Sequence, residues 1–167
     1  QTASGHLSSL GLPGLALEGA QVVGCRQFLL RATYALVVEL IYPGGAAVVE
    51  HPQPGHWQPK AVSSFRIPKI AALAALPCCN YVEFDQCVFQ QAATKPTGLL
   101  LLRQPRLATI ISATRGQGRC HHIGGHPLLR GKDASGHYKS YAARTYTSQV
   151  CRAFVESISG SLRAAYG

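Results

Sequence analysis

A chain of 167 residues fits a single domain and is short for two. With 47% hydrophobic residues it has the apolar content of a folded protein, which argues against wholesale disorder, and no run of about 18 uncharged apolar residues indicates a membrane span. The absence of such a run makes a membrane an unexpected partner, and the formal net charge of +9 favours a polyanion such as nucleic acid.

The amino-terminal residues 1–24 mix glycine, serine and leucine without a sustained period, so we expect a flexible lead-in before one partial domain at 25–167. They do not have the basic start and apolar block of a secretory signal. The six cysteines are scattered, which favours an intracellular, reducing compartment, with the nucleus as one option. Because the chain contains no methionine, we expect it to be part of a longer protein that lacks its front half here.

The first half of that domain predicts a helix, a strand and a second helix. Apolar residues recur at helical spacing from Cys25, and Pro43 followed by two glycines ends the helix. A strand is expected at 46–49, followed by a loop at 51–59. Ser63 or Ser64 then caps a helix that carries Pro68 in its first turn.

The second half predicts two strands, a helix, a long loop and a final helix. Residues 80–89 alternate as in a strand, and "GLLLL" at 98–102 suits a strand buried on both faces. Pro105 is predicted to begin a helix. Residues 116–140 form a loop rich in glycine, histidine and basic residues, which is long enough to be either functional or disordered. Thr147 or Ser148 caps the last helix, whose inner face is predicted to hold Val150, Cys151, Phe154, Val155, Ile158 and Leu162.

This order of elements favours an α/β layer structure with a partly parallel sheet. In such sheets ligands bind beyond the carboxyl ends of the strands, where the pattern places Glu50, His51, His56 and Trp57. A carboxylate there can act as a general acid or base or accept a hydrogen bond from a ring nitrogen of a ligand. Trp57 can stack on a planar ligand such as a nucleobase. The structural alternative is that Glu50 caps a helix or pairs with Arg66 or Lys69, and that Trp57 covers the sheet edge.

Three segments carry a family resemblance. "VVEHP" resembles the strand ending in Glu-Asn-Val or Glu-Asn-Pro in DNA (cytosine-5) methyltransferases, and "FDQCVFQQAATKPTGLLLL" is similar to the hairpin that follows. "ARTYTSQVCRAFVESI" is placed like the family's closing loop and helix. The chain also resembles algal proteins that carry Asp-Gln-Cys followed by Lys-Pro-Thr. Together these similarities span roughly residues 25–165.

The resemblance implies a partial Rossmann-like, class I methyltransferase-like sheet with flanking helices and a long basic loop. By position, Glu50 would contact a flipped cytosine, and Lys95, after Gln91, would stand for part of the hairpin's basic element. A complete enzyme would use S-adenosylmethionine. This chain lacks the family's Pro-Cys nucleophile loop and its Phe-x-Gly-x-Gly cofactor loop, so we expect it to bind no cofactor and to methylate nothing alone.

The loop at 116–140 supports two kinds of site. No acidic residue lies between Asp85 and Asp133, so we expect a phosphate-contacting surface built from Arg119, Arg130, Lys132 and Lys139. Cys120, His122 and His126 have the chemistry to bind Zn²⁺, with Cys87 or His137 as a fourth ligand. They form one loose group where structural zinc sites usually show two tight pairs, so we expect no metal here and favour the phosphate site, with a plain solvated loop as the remaining alternative.

Three functional hypotheses follow from these observations. The leading one is the carboxyl-terminal part of a methyltransferase-like domain that interacts with nucleic acid, most simply DNA, and is inactive alone. The second is a non-catalytic, basic nucleic-acid-binding module, such as one carried by a mobile element. The third is a decayed reading frame that never folds stably, which a cooperative unfolding transition would exclude.

Overall fold

The computed structural model describes residues 17–54, 63–127 and 129–166. The chain divides into two compact units, residues 1–37 and 38–167. The described helices are α1 (Leu17–Glu39), α2 (Pro68–Ala74), α3 (Pro105–Ser112) and α4 (Ser148–Tyr166). The strands are β1 (Ala47–Pro52), β2 (Cys79–Asp85) and β3 (Pro96–Leu102). Helix α1 therefore begins at Leu17, earlier than the predicted start at Cys25, and residues 1–16 of the predicted lead-in lie outside the described residues.

A three-stranded sheet in the order β1-β3-β2 forms the centre of the second unit. Both β1 and β2 pair with β3 in antiparallel orientation, so the mixed α/β class is confirmed and the expected partly parallel sheet is wrong. The connection from β2 to β3 spans only residues 86–95. A parallel crossover needs a dozen or more residues, usually with a helix, so this connection allows only a hairpin.

Strand β3 is buried on both faces, as its wholly apolar sequence predicts. Its four leucines at 99–102 are at most 1% exposed. Leu99 and Leu101 pack with Phe84 on one face, where Leu107 and Ile111 of α3 complete the core, as their helical spacing predicts. Gly98 leaves room on β3 for the ring of Phe65, because an added Cβ would lie within 2.7 Å of that ring.

Helix α4 packs through a face that coincides only in part with the predicted one, since Val150 is buried and Phe154 packs against the core as expected. Thr147 caps it as expected, since its Oγ1 accepts a hydrogen bond from the Val150 N–H. The buried positions include Val150, Ala153 and Ser157, whereas four residues of the predicted inner face are exposed: Cys151, Val155, Ile158 and Leu162. The Ser157 hydroxyl donates to the buried Gln104 Oε1 at 2.8 Å, a polar contact on the face that also buries Val150 and Ala153.

Strand β2 ends at Asp85, and a 3₁₀ helix, Gln86–Phe89, replaces the predicted last residues of the strand. Cys87 is consequently 2% exposed instead of lying on an open strand face. The turn is held by Gln86, whose side-chain amide donates to Thr97 Oγ1 at 3.0 Å. No helix within the three described ranges is long and apolar enough to cross a membrane.

Candidate metal centre and basic hairpin

Glu50 lies inside a strand and not at a strand's carboxyl end. Strand β1 continues to Pro52, and Glu50 is the cross-strand partner of Leu99. The rule that places ligands beyond the carboxyl ends of parallel strands therefore does not apply to this antiparallel sheet. Of the neighbours predicted for Glu50, His56 and Trp57 lie outside the described residues.

The neighbours of Glu50 in the structure are Lys95 and Tyr146. Lys95 Nζ lies 4.0 Å from Glu50 Oε1 and 5.3 Å from the centre of the Tyr146 ring. Burial raises the pKa of Tyr146, and the negative charge of Glu50 raises it further. Within the described residues no donor hydrogen-bonds to Glu50 Oε1, which is itself buried. The alternative pairing of Glu50 with Arg66 or Lys69 is not observed among these residues.

Arg119, predicted to contact phosphate, forms an ion pair with Glu83, with Nη2 and Oε2 2.6 Å apart. Burial alone would raise the pKa of Glu83, but hydrogen bonds from Tyr81 and Arg119 and the positive charges of Arg119 and Arg66 hold it below its usual value. Arg119 is thus partly neutralised where it lies. Its role here is to attach the loop that follows α3 to strand β2.

Other cations are also engaged. The Arg103 guanidinium donates to the carbonyls of Ile41 and Gly45 at 2.8 and 2.9 Å, which fixes the turn before β1. Arg106 pairs with Glu156 of α4 at 2.8 Å. The side-chain amide of Gln91, which the methyltransferase resemblance singles out, donates to the Thr145 carbonyl at 3.2 Å. These side chains hold the fold together, so the net charge alone overstates the cations available to a ligand.

The segment 130–144, here called the basic hairpin, carries exposed cations that no carboxylate of the described residues pairs with. Lys132 and Tyr138 form a β-bridge, and the Lys139 N–H donates to the Gly131 carbonyl. Asp133, the only acidic residue of the segment, accepts hydrogen bonds from the backbone N–H groups of Ser135 and His137. Among the described residues, no carboxylate pairs with any of the four cations of the basic hairpin, which are Arg130, Lys132, Lys139 and Arg144.

Two of these cations lie against exposed tyrosines. Lys132 Nζ is 5.2 Å from the centre of the Tyr138 ring, and the Arg144 guanidinium is 5.1 Å from the centre of the Tyr141 ring. Both rings are more than 60% exposed. The basic hairpin therefore combines accessible positive charge with accessible aromatic faces. The predicted residues Arg130, Lys132 and Lys139 all lie in it, whereas Lys95 and Arg119 lie elsewhere.

Two cysteines and two histidines converge next to the end of β2. The potential ligand atoms of Cys87, Cys120, His122 and His126 all lie within 4.8 Å of one another. Cys120 Sγ is 3.1 Å from His126 Nε2 and 3.5 Å from His122 Nδ1. Of the two residues that the sequence offers as a fourth member, Cys87 lies in this cluster and His137 does not.

Backbone contacts place this cluster. The Asp85 N–H donates to the Gly118 carbonyl at 2.7 Å, and Asp85 Oδ2 accepts from the Cys120 N–H at 2.9 Å. The backbone N–H of His122 and the nearby imidazoles lower the pKa of Cys120 to about 6. Burial and the adjacent Cys120 raise the pKa of Cys87 to about 12. The cluster thus pairs an acidic thiol at the surface with a buried thiol.

Sequence reasoning missed Tyr146 as the neighbour of Glu50 and Glu83 as the partner of Arg119, because each pair joins distant segments. The role of Cys87 was obscured by the strand alternation assigned across residues 80–89. Asp85, directly before the turn Gln86–Phe89, carried a usable signal, since aspartate is one of the residues that favour turns.

Comparisons with known protein families, with curated proteins and with solved structures found no match. The geometry of the chain's own residues is therefore the basis on which its function is inferred.

Proposed function

We propose that this chain is a nucleic-acid-binding module that contacts its ligand through the basic hairpin, 130–144. The observation that carries the proposal is the set of exposed cations in that hairpin, two of them stacked beside exposed tyrosines and none paired with a described carboxylate. Lysine and arginine bind phosphates and release condensed counterions, while aromatic faces accept unpaired bases. Both functions lie within one short segment.

The hairpin is suited to this role because its backbone is partly organised before a ligand binds. Asp133 closes the turn through backbone N–H groups and forms no ion pair with a cation of the hairpin among the described residues. The bridge between Lys132 and Tyr138 holds the two arms of the turn together. Less conformational entropy is then lost when phosphates bind, which favours affinity.

The test is the triple variant Arg130→Ala, Lys132→Ala and Lys139→Ala, titrated with a DNA duplex and with the corresponding single strand. We expect weaker binding to both. For the duplex, the dependence of log K on log salt should become less steep by up to about 0.9 for each phosphate that the variant no longer neutralises. Fluorescence anisotropy at several salt concentrations measures both quantities.

A matched control removes the same number of charges elsewhere, through Lys69→Ala, Arg152→Ala and Arg163→Ala, which lie on α2 and α4. Its affinity should stay closer to that of the unmodified chain. Equal reductions in affinity for the two triple variants would mean that net charge and not the hairpin drives binding, and unchanged affinity in the hairpin variant would contradict the proposal.

A second candidate, the methyltransferase-like domain, is favoured by one observation. Glu50 Oε1 is buried without a hydrogen-bond donor among the described residues, and such an acceptor is suited to a ligand's N–H group. The Rossmann-like sheet implied by the resemblance needs parallel strand pairs, and the described strands pair only in antiparallel orientation. A role for Glu50 in contacting a flipped cytosine in a complete enzyme remains our hypothesis.

The substitution Glu50→Gln separates the two candidates, and calorimetry with S-adenosylmethionine, in the presence and absence of a cytosine-containing duplex, tests for a cofactor site that the sequence does not predict in this chain alone. Heat with the cofactor that depends on the duplex would support the methyltransferase-like candidate, and Glu50→Gln should then abolish turnover in the complete enzyme. The binding module predicts heat with nucleic acid alone. It also predicts that Glu50→Gln leaves nucleic-acid affinity nearly unchanged, since Glu50 lies outside the basic hairpin.

A further inference from the structure

We propose that Cys87, Cys120, His122 and His126 bind one Zn²⁺ ion at a structural site. Zinc prefers a tetrahedron of thiolate and imidazole ligands with bonds of about 2.0–2.3 Å, which separates ligand atoms by roughly 3.3–3.8 Å. Cys120 Sγ lies 3.5 Å from His122 Nδ1 and 3.1 Å from His126 Nε2. The first of these distances fits the tetrahedron, the second is shorter than it, and all four atoms lie within 4.8 Å of one another, so side-chain rotations would complete the tetrahedron on metal binding.

The two sulfur atoms are positioned by the fold itself. Cys87 lies in the buried 3₁₀ helix Gln86–Phe89, next to the packed core residue Phe89. Cys120 is held from the other side, because its N–H donates to the carboxylate of Asp85, the last residue of β2. Both cysteines are thus fixed to the same end of one strand, although they are far apart in sequence.

His126 is oriented in the manner of a metal ligand. Its Nδ1 lies 2.9 Å from the Ala92 carbonyl and donates its proton there, which leaves the lone pair of Nε2 directed at Cys120. Metal-binding histidines usually donate the second ring N–H to a carbonyl or carboxylate in this way. The contact to Ala92 lies outside the set of four ligands, so it is an independent observation in favour of the site.

The ligand set selects zinc among common divalent ions. Thiolates and imidazoles suit zinc, whereas magnesium and calcium require oxygen ligands. Two thiolates and two neutral imidazoles cancel the charge of Zn²⁺, which makes a neutral centre compatible with the burial of Cys87. Four protein ligands leave no open coordination position, and this is typical of structural and not catalytic zinc.

The consequence of metal binding would be to join two segments that are distant in sequence. Cys87 belongs to the connection between β2 and β3, and the other three ligands belong to the loop after α3. The metal would anchor residues 120–126, which lead directly into the basic hairpin. The proposal does not depend on nucleic-acid binding, because it is tested by metal binding alone.

The experiment is titration of the full, reduced chain with Co²⁺, followed by displacement with Zn²⁺. We expect one Co²⁺ per chain with the absorption bands of tetrahedral cobalt bound to thiolate, and disappearance of the bands when Zn²⁺ is added. Cys87→Ser and His122→Asn should each abolish these bands. His122 is exposed, so His122→Asn is expected to fold and keeps the test valid if Cys87→Ser does not.

The matched controls are Cys151→Ser and His137→Asn, which alter an exposed cysteine and an exposed histidine outside the cluster. Both should bind Co²⁺ like the unmodified chain. The proposal is overturned if the reduced chain binds no Co²⁺, or if His122→Asn retains the full tetrahedral spectrum. It is also overturned if the control variants lose Co²⁺ binding to the same extent as the ligand variants. Rapid alkylation of Cys120 that added Zn²⁺ does not slow would also overturn it, since it would indicate a free reactive thiol.

Discussion

Glu83 illustrates how single residues connect the loop after α3 to the sheet. It accepts a hydrogen bond from Tyr81 on its own strand at 2.7 Å and pairs with Arg119 across the loop. Gly118, next to Arg119, has a φ of +86°, and an added Cβ would lie 3.1 Å from the Glu83 carbonyl. A glycine is needed at this point because the chain passes close to β2 in the left-handed region. The ion pair therefore follows from a close backbone approach.

The pKa of Glu83, lowered in the folded chain, predicts an effect of pH on stability. A carboxyl group with a lowered folded-state pKa stabilises the fold above its unfolded pKa, near 4.5, and loses that contribution as the pH falls through the folded value. Glu83→Gln should therefore reduce the free energy of unfolding at pH 7 by about 0.2–1 kcal/mol, as for exposed pairs. The difference from the unmodified chain should shrink toward pH 3, measured by urea unfolding across that range.

Glu156→Gln provides the comparison, because it removes another carboxylate paired with an arginine, Arg106, but on the exposed surface between α3 and α4. Like Glu83→Gln, it raises the net charge of a basic chain by one, so its effect on the free energy of unfolding serves as the correction for that general change. A Glu83→Gln effect that is constant from pH 7 to pH 3 would show that altered packing and not the ionisation of Glu83 causes the change.

At the scale of elements, the sequence correctly predicts the helices and strands that are specified by residues within or next to them. The leucine run of β3 indicated a strand buried on both faces, and Pro105 and Thr147 marked the starts of α3 and α4 correctly. Helix orientation depends on distant partners instead. On α4 the buried face includes Val150 of the predicted apolar face together with Ser157, whose contact with the distant Gln104 could not be predicted from the sequence.

The prediction of parallel strand pairing was wrong for a similar reason. Alternation of helices and strands favours parallel crossovers, but here β1 and β2 lie on opposite sides of β3, and the short connection to β3 requires an antiparallel hairpin. The candidate site at Glu50 depended on the parallel arrangement, so its expected surroundings changed with it. The proximity of the Cys/His group depends less on the fold. Three of its members are close in sequence, and only the approach of Cys87 to the other three follows from the tertiary structure.

At the scale of the whole molecule, the described core is small and depends on β3. Leu99 and Leu101 pack against α3 and α4 on one face of the sheet, and polar pairs such as Gln86 with Thr97 are buried beside them. A decayed reading frame would not be expected to build a continuous core of this kind, although Gln86 Oε1 beside it is buried without a hydrogen-bond partner among the described residues. The hypothesis that the chain never folds stably predicts no cooperative unfolding, whereas the packed core predicts a cooperative transition.

Leu101→Ala tests this difference. Leu101 is fully buried in the core cluster, so its truncation should reduce the free energy of unfolding by about 2–5 kcal/mol, a large part of the roughly 5–15 kcal/mol typical of natural domains. Leu162→Ala, at a position 54% exposed, should change it by no more than about 0.5 kcal/mol. Urea unfolding followed by circular dichroism and by tyrosine fluorescence should give coincident, cooperative transitions for all three chains. Gradual, non-coincident transitions, or equal effects of the two substitutions, would favour the decayed reading frame over the packed core.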